Sequence, residues 1–188
     1  MSRKTLIALG SNEFSVWGDA TDTVLKATLR VAELAVSVPD CSPFYTTPAF
    51  PAGSGPAYVN AVMAIDTDQN PQELLAALHL IEAEAGRVRK TRWGQRTLDL
   101  DLIAVGDCVL PNAEGYLHWR DLPLDAQMSQ APTELVLPHP RMQDRTFVMV
   151  PLCDVAPDWV HPVTGLSARA ICAALPAQDR ADVVPIAP

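Results

Sequence analysis

Two carboxylates, Asp99 and Asp101, stand inside the apolar stretch RTLDLDLIAVG of residues 96–106. In a β-strand, residues i and i+2 point to the same face, and a rise of ~3.3 Å per residue places them about 6.6 Å apart. At an effective dielectric constant of about 20, two bare carboxylates at that distance repel each other by about 2.5 kcal/mol. Because packing alone does not favour this arrangement, the spacing predicts a cation between the two side chains.

Basic residues are concentrated immediately before this strand. Five of the fourteen lysines and arginines fall within ten positions, namely Arg87, Arg89, Lys90, Arg92 and Arg96. Each feature alone has an ordinary explanation, either solvated acids on an edge strand or a solvated basic loop. Magnesium, however, takes a few carboxylate ligands together with phosphate oxygens and water, and arginines neutralise the remaining phosphate charge. The two features together therefore favour a magnesium-nucleotide site for phosphoryl transfer.

The composition excludes several classes of protein. The chain has 188 residues, of which 48% are hydrophobic and 19% charged, as is typical of one globular domain. Its net charge of −8 argues against an extended nucleic-acid interface, which needs a basic face. An apolar run of membrane-spanning length is absent from the sequence, and the apolar N-terminal stretch is shorter than a signal-peptide core. The four cysteines form no C-x-x-C pair, which predicts reduced core residues and a cytoplasmic protein.

The elements that must position the site are predicted from hydrophobic periodicity and turn residues. In chain order, the patterns predict a strand at 4–9, a helix at 22–36, strands at 41–47 and 58–66, a helix beginning at 71 and a strand at 98–105. Asn70 before Pro71, with Glu73 three positions after the cap, is the start signal of the second helix. This order predicts an α+β fold, a ferredoxin-like sandwich with an antiparallel sheet.

The alternation within the strands predicts which face of the sheet holds a ligand. The residues expected to face both helices are Leu98, Leu100, Leu102 and Ala104. Asp99 and Asp101 then lie on the opposite face, as do Tyr58 and Asn60 on their own strand. We therefore predict both helices on one face of the sheet and the ligand site on the other.

The periodic pattern weakens beyond Gly106. We interpret residues 111–134 as a long surface excursion, followed by a strand near 146–152 and a short helix near 167–174. The last residues, 177–188, are expected to form a loose tail. The sequence therefore predicts a single domain over residues 1–176.

Four blocks of sequence resemble one known family. In chain order they are FYTTPAF, YVNAV, GRVRKTRWGQRTLDLDLI and LPHPRMQDRTFVMVPL. Together they resemble the signature of the 6-hydroxymethyl-7,8-dihydropterin pyrophosphokinases of folate biosynthesis, over residues 5–175. The resemblance implies transfer of the β,γ-pyrophosphate of ATP to the hydroxymethyl group of the pterin, with release of AMP. It also implies the ferredoxin-like fold that the pattern predicts.

The resemblance further implies roles for individual residues. Asp99 and Asp101 match ligands of two Mg²⁺ ions, and Arg87 and Arg96 match arginines that neutralise charge as the bond to AMP breaks. The positions that match ATP contacts are His79, Glu82, Arg89, Trp93, Leu102, His139 and Arg145. The positions that match pterin contacts are Thr47, Pro48, Phe50, Tyr58, Asn60 and Phe147, of which Tyr58 and Phe147 would sandwich the ring.

Two other functions remain open. A metal-dependent nucleotidyltransferase would release pyrophosphate instead of AMP, and a ferredoxin-like ligand-binding module would catalyse nothing. The pterin-like positions argue against the first, and an RNA-binding module would need a basic sheet with exposed aromatic residues. We expect a monomer that binds ATP and the pterin, with neither a nucleic-acid nor a membrane partner.

Overall fold

The computed structural model describes residues 2–49, 55–87, 97–123, 126 and 130–187. The strands in these ranges are β1 (Arg3–Ser11), β2 (Asp40–Cys41), β3 (Tyr45–Thr47), β4 (Tyr58–Thr67), β5 (Asp99–Val105) and β6 (Val184–Pro185). The helices are α1 (Ala20–Ala32), α2 (Pro71–Glu84), α3 (Ala113–Arg120), α4 (Thr146–Val155), α5 (Ala168–Ala174) and α6 (Ala177–Ala181). A 3-10 turn, Met142–Asp144, precedes α4. No helix of the described ranges is long and apolar enough to cross a membrane.

The strands form one antiparallel sheet in the order β5-β1-β4-β3-β6, and β2 also pairs with β4. The central strand β1 pairs along its whole length with β4 and over most of its length with β5. Its register aligns Asp99 of β5, Gly10 of β1, Asn60 of β4 and Tyr45 of β3 in one row across four strands. The predicted α+β, ferredoxin-like architecture with an antiparallel sheet is confirmed.

Helices α1 and α2 cover one face of the sheet. The side chain of Asp19 caps α1, and Asn70 and Glu73 form a reciprocal capping box at the start of α2, with Pro71 at the first helical position. The apolar stripes of the two helices pack on the inward side chains of the sheet; they consist of Val24, Ala27, Val31, Leu74, Leu78 and Ile81. Both helices and the start signal of the second are therefore as predicted.

Helices α4 and α5 cover part of the opposite face. Val148, Met149 and Leu152 of α4 pack with Leu6 and Val62 of the sheet in a second apolar core. The predicted strand at 146–152 is therefore wrong. A short apolar run rich in β-branched residues does not separate strand from buried helix, and the buried positions 148, 149 and 152 have helical spacing. Among the described residues, the apolar core beneath α4 and α5 ends before Asp99 and Asn60, and we call this part the open end of the second face.

A β-bulge in β5 corrects a further prediction. Leu6 is aligned with Ala104, whereas the next residue, Ile7, is aligned with Leu102, so Ile103 is the extra residue. A bulge inserts one residue and reverses the alternation beyond it. Ala104 consequently faces the core beneath α4 and α5 and not the helices α1 and α2. Leu98, Leu100 and Leu102 face α1 and α2 as predicted.

The two ends of the excursion between β5 and α4 lie side by side. The amides and carbonyls of Leu110 and Leu137 exchange two hydrogen bonds, 2.9 and 3.2 Å long. Within the excursion, Tyr116 of α3 is fully buried, and its hydroxyl lies 2.8 Å from Nε2 of His161. The interior of this segment is therefore attached to the body of the protein.

The C-terminal residues differ from the expected loose tail. The predicted short helix is present as α5, capped by the hydroxyl of Ser167. Beyond it, 177–187 contains α6 and β6, and β6 adds to the free edge of β3 by pairing with Tyr45 and Thr46. The amide of Ile186 also donates to the carbonyl of Phe44 at 2.7 Å. An edge strand with open backbone groups accepts such a partner even when the partner is short.

Candidate active site

The carboxylates of β5 lie at the open end of the second sheet face, and an arginine contacts each of them. Nη1 of Arg87, three residues past the end of α2, donates to Oδ1 of Asp99 at 2.9 Å. Nη1 of Arg145, the residue before α4, donates to Oδ2 of Asp101 at 3.1 Å. The two acids therefore share a face as the i, i+2 spacing predicts, and each is paired with a guanidinium group.

Glu82 stabilises the charged end of the face, which consists of Asp99, Asp101, Arg87 and Arg145, from the side of α2. Its side chain on α2 is only 3% exposed, and its Oε1 atom accepts the backbone amide of Leu100 at 2.9 Å. The same carboxylate forms an ion pair with Arg87. A buried carboxylate is costly unless it is paired and hydrogen-bonded, and Glu82 has both kinds of partner. Arg87 is consequently held between Glu82 and Asp99.

His139 lies beside Asp101 and is neutral. Its backbone amide donates to the carbonyl of Ile103 at 2.8 Å, which fixes the segment against β5. Its Nδ1 accepts the amide of Arg141 at 3.2 Å, so the ring proton is on Nε2, 3.9 Å from Oδ2 of Asp101. Burial is the main reason that the pKa of His139 falls to about 4; Arg145 and Arg141 lower it further, against the opposing effect of Asp101.

A cavity of about 590 Å³ opens between α2, β5 and the segment 132–141. Of the predicted site residues, its lining includes His79, Glu82, Arg87, Asp99, Asp101, Leu102 and His139. The wall opposite α2 consists of Pro132, Thr133, Glu134, Leu135 and Val136, from the end of the excursion. The sequence analysis interpreted the residues up to Glu134 as a surface excursion and assigned no site role to this wall.

The neutral end of the same sheet face lies on β3 and β4. Asn60, which is 5% exposed, donates from Nδ2 to the hydroxyl of Thr47 at 2.8 Å. Tyr58 is aligned with Thr47 across the two strands, and Pro48 follows Thr47 at the exposed end of β3. Gly10 lies beside Asn60 in the register, and a Cβ atom there would come within 3.0 Å of the Asn60 Oδ1 atom. The amide group of Asn60 is therefore held closely over Gly10.

Phe147 connects the two ends. It is the second residue of α4, is 36% exposed, and its ring centroid lies 5.7 Å from Cζ of Arg145. Because α4 covers the face from which the side chains of β4 at Asn60 and Val62 project, Phe147 and Tyr58 belong to the same side of the sheet. Asp99, Asp101 and the pterin residues Thr47, Tyr58, Asn60 and Phe147 thus lie on one side of the sheet, whereas His79, Glu82 and Leu102 line the cavity from the side of α2.

Four of the predicted site residues, Phe50, Arg89, Trp93 and Arg96, lie outside the described residues. Sequence reasoning also overlooked Asn12, which directly follows β1. Asn12 is 6% exposed, and its Nδ2 donates to the carbonyl of Pro56 at 3.3 Å. Its buried Oδ1 atom has no hydrogen-bond partner within the described part of the chain. A polar residue directly after a buried strand was the available signal.

Comparison with known proteins finds similarity over most of the chain. The family model described as 7,8-dihydro-6-hydroxymethylpterin-pyrophosphokinase (HPPK) matches residues 6–157. A 2-amino-4-hydroxy-6-hydroxymethyldihydropteridine pyrophosphokinase of Synechocystis sp. is 36% identical over 184 residues, covering 97% of this chain and 80% of the relative. The protein of the same name from Pseudomonas aeruginosa is 38% identical over 158 residues, covering 84% of this chain and 83% of the relative.

Solved structures show the same fold. The wild-type HPPK-DHPS of Plasmodium falciparum superposes with a TM-score of 0.62 at 13% identity, covering 92% of this chain. This chain spans only 44% of the length of that protein, so the likeness concerns the fold alone. The family model and the relatives, in contrast, match through sequence over most of the chain. The chain therefore belongs to the 7,8-dihydro-6-hydroxymethylpterin-pyrophosphokinase family.

Proposed function

We propose that the chain transfers the β,γ-pyrophosphate of ATP to the hydroxymethyl group of 6-hydroxymethyl-7,8-dihydropterin, giving the pterin diphosphate and AMP in folate biosynthesis. The observation that carries this proposal is the row Asp99–Gly10–Asn60 across the open sheet face. At one end of the row, carboxylates and arginines suit a magnesium polyphosphate. At the other, a buried amide and hydroxyl suit the polar edge of a heterocycle. The two substrates can thus meet over Gly10.

Two Mg²⁺ ions fit the charged end. Asp99 and Asp101 offer hard oxygen donors from one face, and both belong to the cavity lining. They would hold the ions, with phosphate oxygens and water as the remaining ligands. When bound, magnesium neutralises the phosphate charge and polarises the phosphoryl groups for displacement.

The arginines of the charged end bind the phosphates in this proposal. Arg87 and Arg145 are paired with Asp99 and Asp101, and both guanidinium groups would donate to phosphate oxygens if the carboxylates held magnesium. Glu82 remains paired with Arg87 and keeps that arginine at the site. His139, whose Nε2 carries a proton, adds a neutral donor beside Asp101.

The cavity between α2 and the segment 132–141 binds the nucleoside of ATP. Its volume of about 590 Å³ lies within the ~300–1,000 Å³ usual for small-molecule sites. His79 and Leu102 contribute the α2 and β5 walls, and Pro132–Val136 contribute the opposite wall. Asp99 and Asp101 line the same cavity, which supports a triphosphate directed toward them.

The neutral end binds and orients the pterin. Asn60 offers both a donor and an acceptor to the edge of the ring, and Thr47 and Asn12 supply further polar atoms. Asn12 fits this role because a buried acceptor without a partner is costly until a ligand supplies a donor. Tyr58 and Phe147 stack on the ring faces. In the reaction, the hydroxymethyl oxygen forms a bond to the β-phosphorus, the bond from that phosphorus to the oxygen of AMP breaks, and the hydroxyl proton is released.

Identification of the nucleotide product tests the proposal. The protein is incubated with ATP, Mg²⁺ and 6-hydroxymethyl-7,8-dihydropterin, and the nucleotides are separated by chromatography. AMP that forms in step with the pterin diphosphate is the expected result. ADP would place the attack at the γ-phosphorus, and release of pyrophosphate would favour a nucleotidyltransferase. The absence of pterin-dependent turnover would reject the proposal.

The proposal also includes a monomeric, cytoplasmic enzyme whose partners are its two substrates. A net charge of −8 supports the absence of a nucleic-acid partner. Light scattering after gel filtration should give the mass of one chain, and a mass of two chains would contradict the monomer.

A further inference from the structure

A hydrogen bond outside the proposed substrate contacts joins the two elements that flank the pterin site. The hydroxyl of Tyr45, on β3, donates to Oδ2 of Asp154, on α4, at 2.8 Å. We propose that Tyr45 and Asp154 are a positioning pair that fixes the separation of β3 and α4, and thereby the width of the slot that receives the pterin ring. This inference rests on the proposed function, because the pterin defines the slot.

On β3, Tyr45 lies directly beside the polar pterin residues. Tyr45 and Thr47 are two positions apart, so both side chains project from the same face of the strand, about 6.6 Å from each other. Tyr45 is aligned with Asn60 across the sheet, and Asn60 in turn donates to Thr47 at 2.8 Å. A shift of the Tyr45 ring would therefore displace the amide and hydroxyl that read the ring edge.

On α4, Asp154 lies on the same side of the helix as Phe147. The two residues are seven positions apart, which is about two helical turns and about 10.5 Å along the axis. Phe147 stands at the start of the helix and Asp154 in its last turn. A contact that holds Asp154 against β3 therefore determines how far Phe147 stands from the strands.

The pair is needed because β3 is weakly fixed by its own backbone. The strand has three residues, and its outer partner β6 has two. Short strands specify their position poorly, so side-chain contacts have more weight. The apolar side of α4 packs on β1, β4 and β5 through Val148, Met149 and Leu152, which does not by itself set the distance from α4 to β3.

The chemistry of the two groups suits a durable hydrogen bond. Tyr45 is 8% exposed, and a buried phenol requires a hydrogen-bond partner. Burial, with a smaller effect of Asp154, raises the pKa of Tyr45 to about 12, so the hydroxyl stays protonated as a donor. A negative charge in the last turn of a helix is unfavourable to the helix dipole, and the bond to Tyr45 offsets this cost.

The test compares Y45F and D154A with the wild-type protein in the AMP-release assay. Both changes should raise the KM for the pterin about tenfold, because each removes one charge-assisted hydrogen bond. Both should leave the KM for ATP and kcat within a factor of about two, because the charged end of the face is untouched. The double variant should be no worse than either single variant, as expected for two groups that act as one unit.

Controls separate positioning from general stability. D158N removes an exposed carboxylate that is 3.4 Å from Arg169, and should leave all three parameters unchanged. Asp154 is exposed, so D154A keeps the core intact even if Y45F folds poorly. D154N retains an oxygen acceptor and should restore part of the pterin affinity.

An unchanged KM for the pterin in D154A would overturn the inference. So would a loss of kcat and melting temperature without a change in KM. A wild-type protein without pterin-dependent AMP release would instead reject the proposed function, and this inference with it.

Discussion

The two ends of the open sheet face are stabilised in opposite ways. At the charged end, Asp99 and Asp101 are 23% and 30% exposed and are held by ion pairs with arginines. At the neutral end, Asn60 and Thr47 are 5% and 6% exposed and share a neutral hydrogen bond. Ion pairs open to water exchange partners at little cost, whereas a buried neutral hydrogen bond is kept. The difference indicates that the charged end rearranges around its ligand and that the neutral end is formed before the ligand arrives.

The largest effect is expected from D99A, at the charged end. Removing a proposed metal ligand should lower kcat on the order of a thousandfold, because magnesium contributes several kcal/mol to phosphoryl transfer. Circular dichroism and the melting temperature should stay close to the wild-type values. The matched control is D66N, since Asp66 is a strand carboxylate that accepts from Ser37 at 3.0 Å and lies outside the cavity lining. Near-normal turnover of D99A at low magnesium would contradict the metal-ligand assignment.

At the neutral end, N60A should act on substrate affinity. Loss of the amide that contacts Thr47 and the ring should raise the KM for the pterin about thirtyfold, since each missing buried hydrogen bond costs about 1–3 kcal/mol. The KM for ATP should change little in the same steady-state assay. N70A provides the comparison, because Asn70 is also an amide but caps α2; it should cost about 1 kcal/mol of stability without altering the pterin KM. Equal changes in both KM values for N60A would show that the two ends are not independent.

E82Q tests whether Glu82, a buried carboxylate at the charged end, is structural. Glutamine can still accept the amide of Leu100 but no longer pairs with Arg87 as an ion, so the free energy of unfolding should fall by about 2 kcal/mol. Urea unfolding measures this change. E84Q serves as the control, because Glu84 lies two residues further along α2 in an exposed pair with Arg30, and its unfolding midpoint should match the wild type. An unchanged midpoint for E82Q would mean that the ion pair between Glu82 and Arg87 does not contribute to stability.

The smallest effect is expected from G10A, between the two ends. The added methyl group would lie 3.0 Å from the Asn60 Oδ1 atom, so the amide must move by a few tenths of an ångström. The KM for the pterin should rise about threefold while kcat changes less, since one hydrogen bond is bent but not lost. A larger effect on kcat than on KM would show that Gly10 belongs to the charged end.

Local signals predicted most of the sheet and the helices beneath it. The capping residues Asn70 and Glu73 and the alternation of Leu98, Leu100 and Leu102 depend on neighbours a few positions away, and the structure contains them as predicted. The strand predicted at 146–152 is a helix because its apolar run is compatible with both states, and only the shape of the second core decides between them. Ala104 was misplaced because a bulge has no signature in the alternation of a fully apolar segment.

Local sequence patterns also predicted part of the site. The i, i+2 spacing places Asp99 and Asp101 together without any knowledge of the fold. The spacing does not predict which residue pairs with each acid, since Arg145 and Asp101 are 44 positions apart in the sequence. The bond between Tyr45 and Asp154 spans 109 positions and depends on the packing of α4 against the sheet. Such pairs follow from tertiary structure, and periodicity carries no information about them.

The pair of hydrogen bonds between Leu110 and Leu137 affects how the segment between these two residues can evolve. Because the two residues are hydrogen-bonded side by side, insertions and deletions between them leave β5 and the His139 segment in place. Doubling the length of a flexible loop costs only about 0.6 kcal/mol in closure entropy, so changes of length are tolerated at positions outside α3, whose Tyr116 is buried against His161. Of the described residues between Leu110 and Leu137, the stretch Pro132–Val136 lines the cavity, so substitutions there would change the shape of the proposed nucleoside site without touching Asp99 or Asp101.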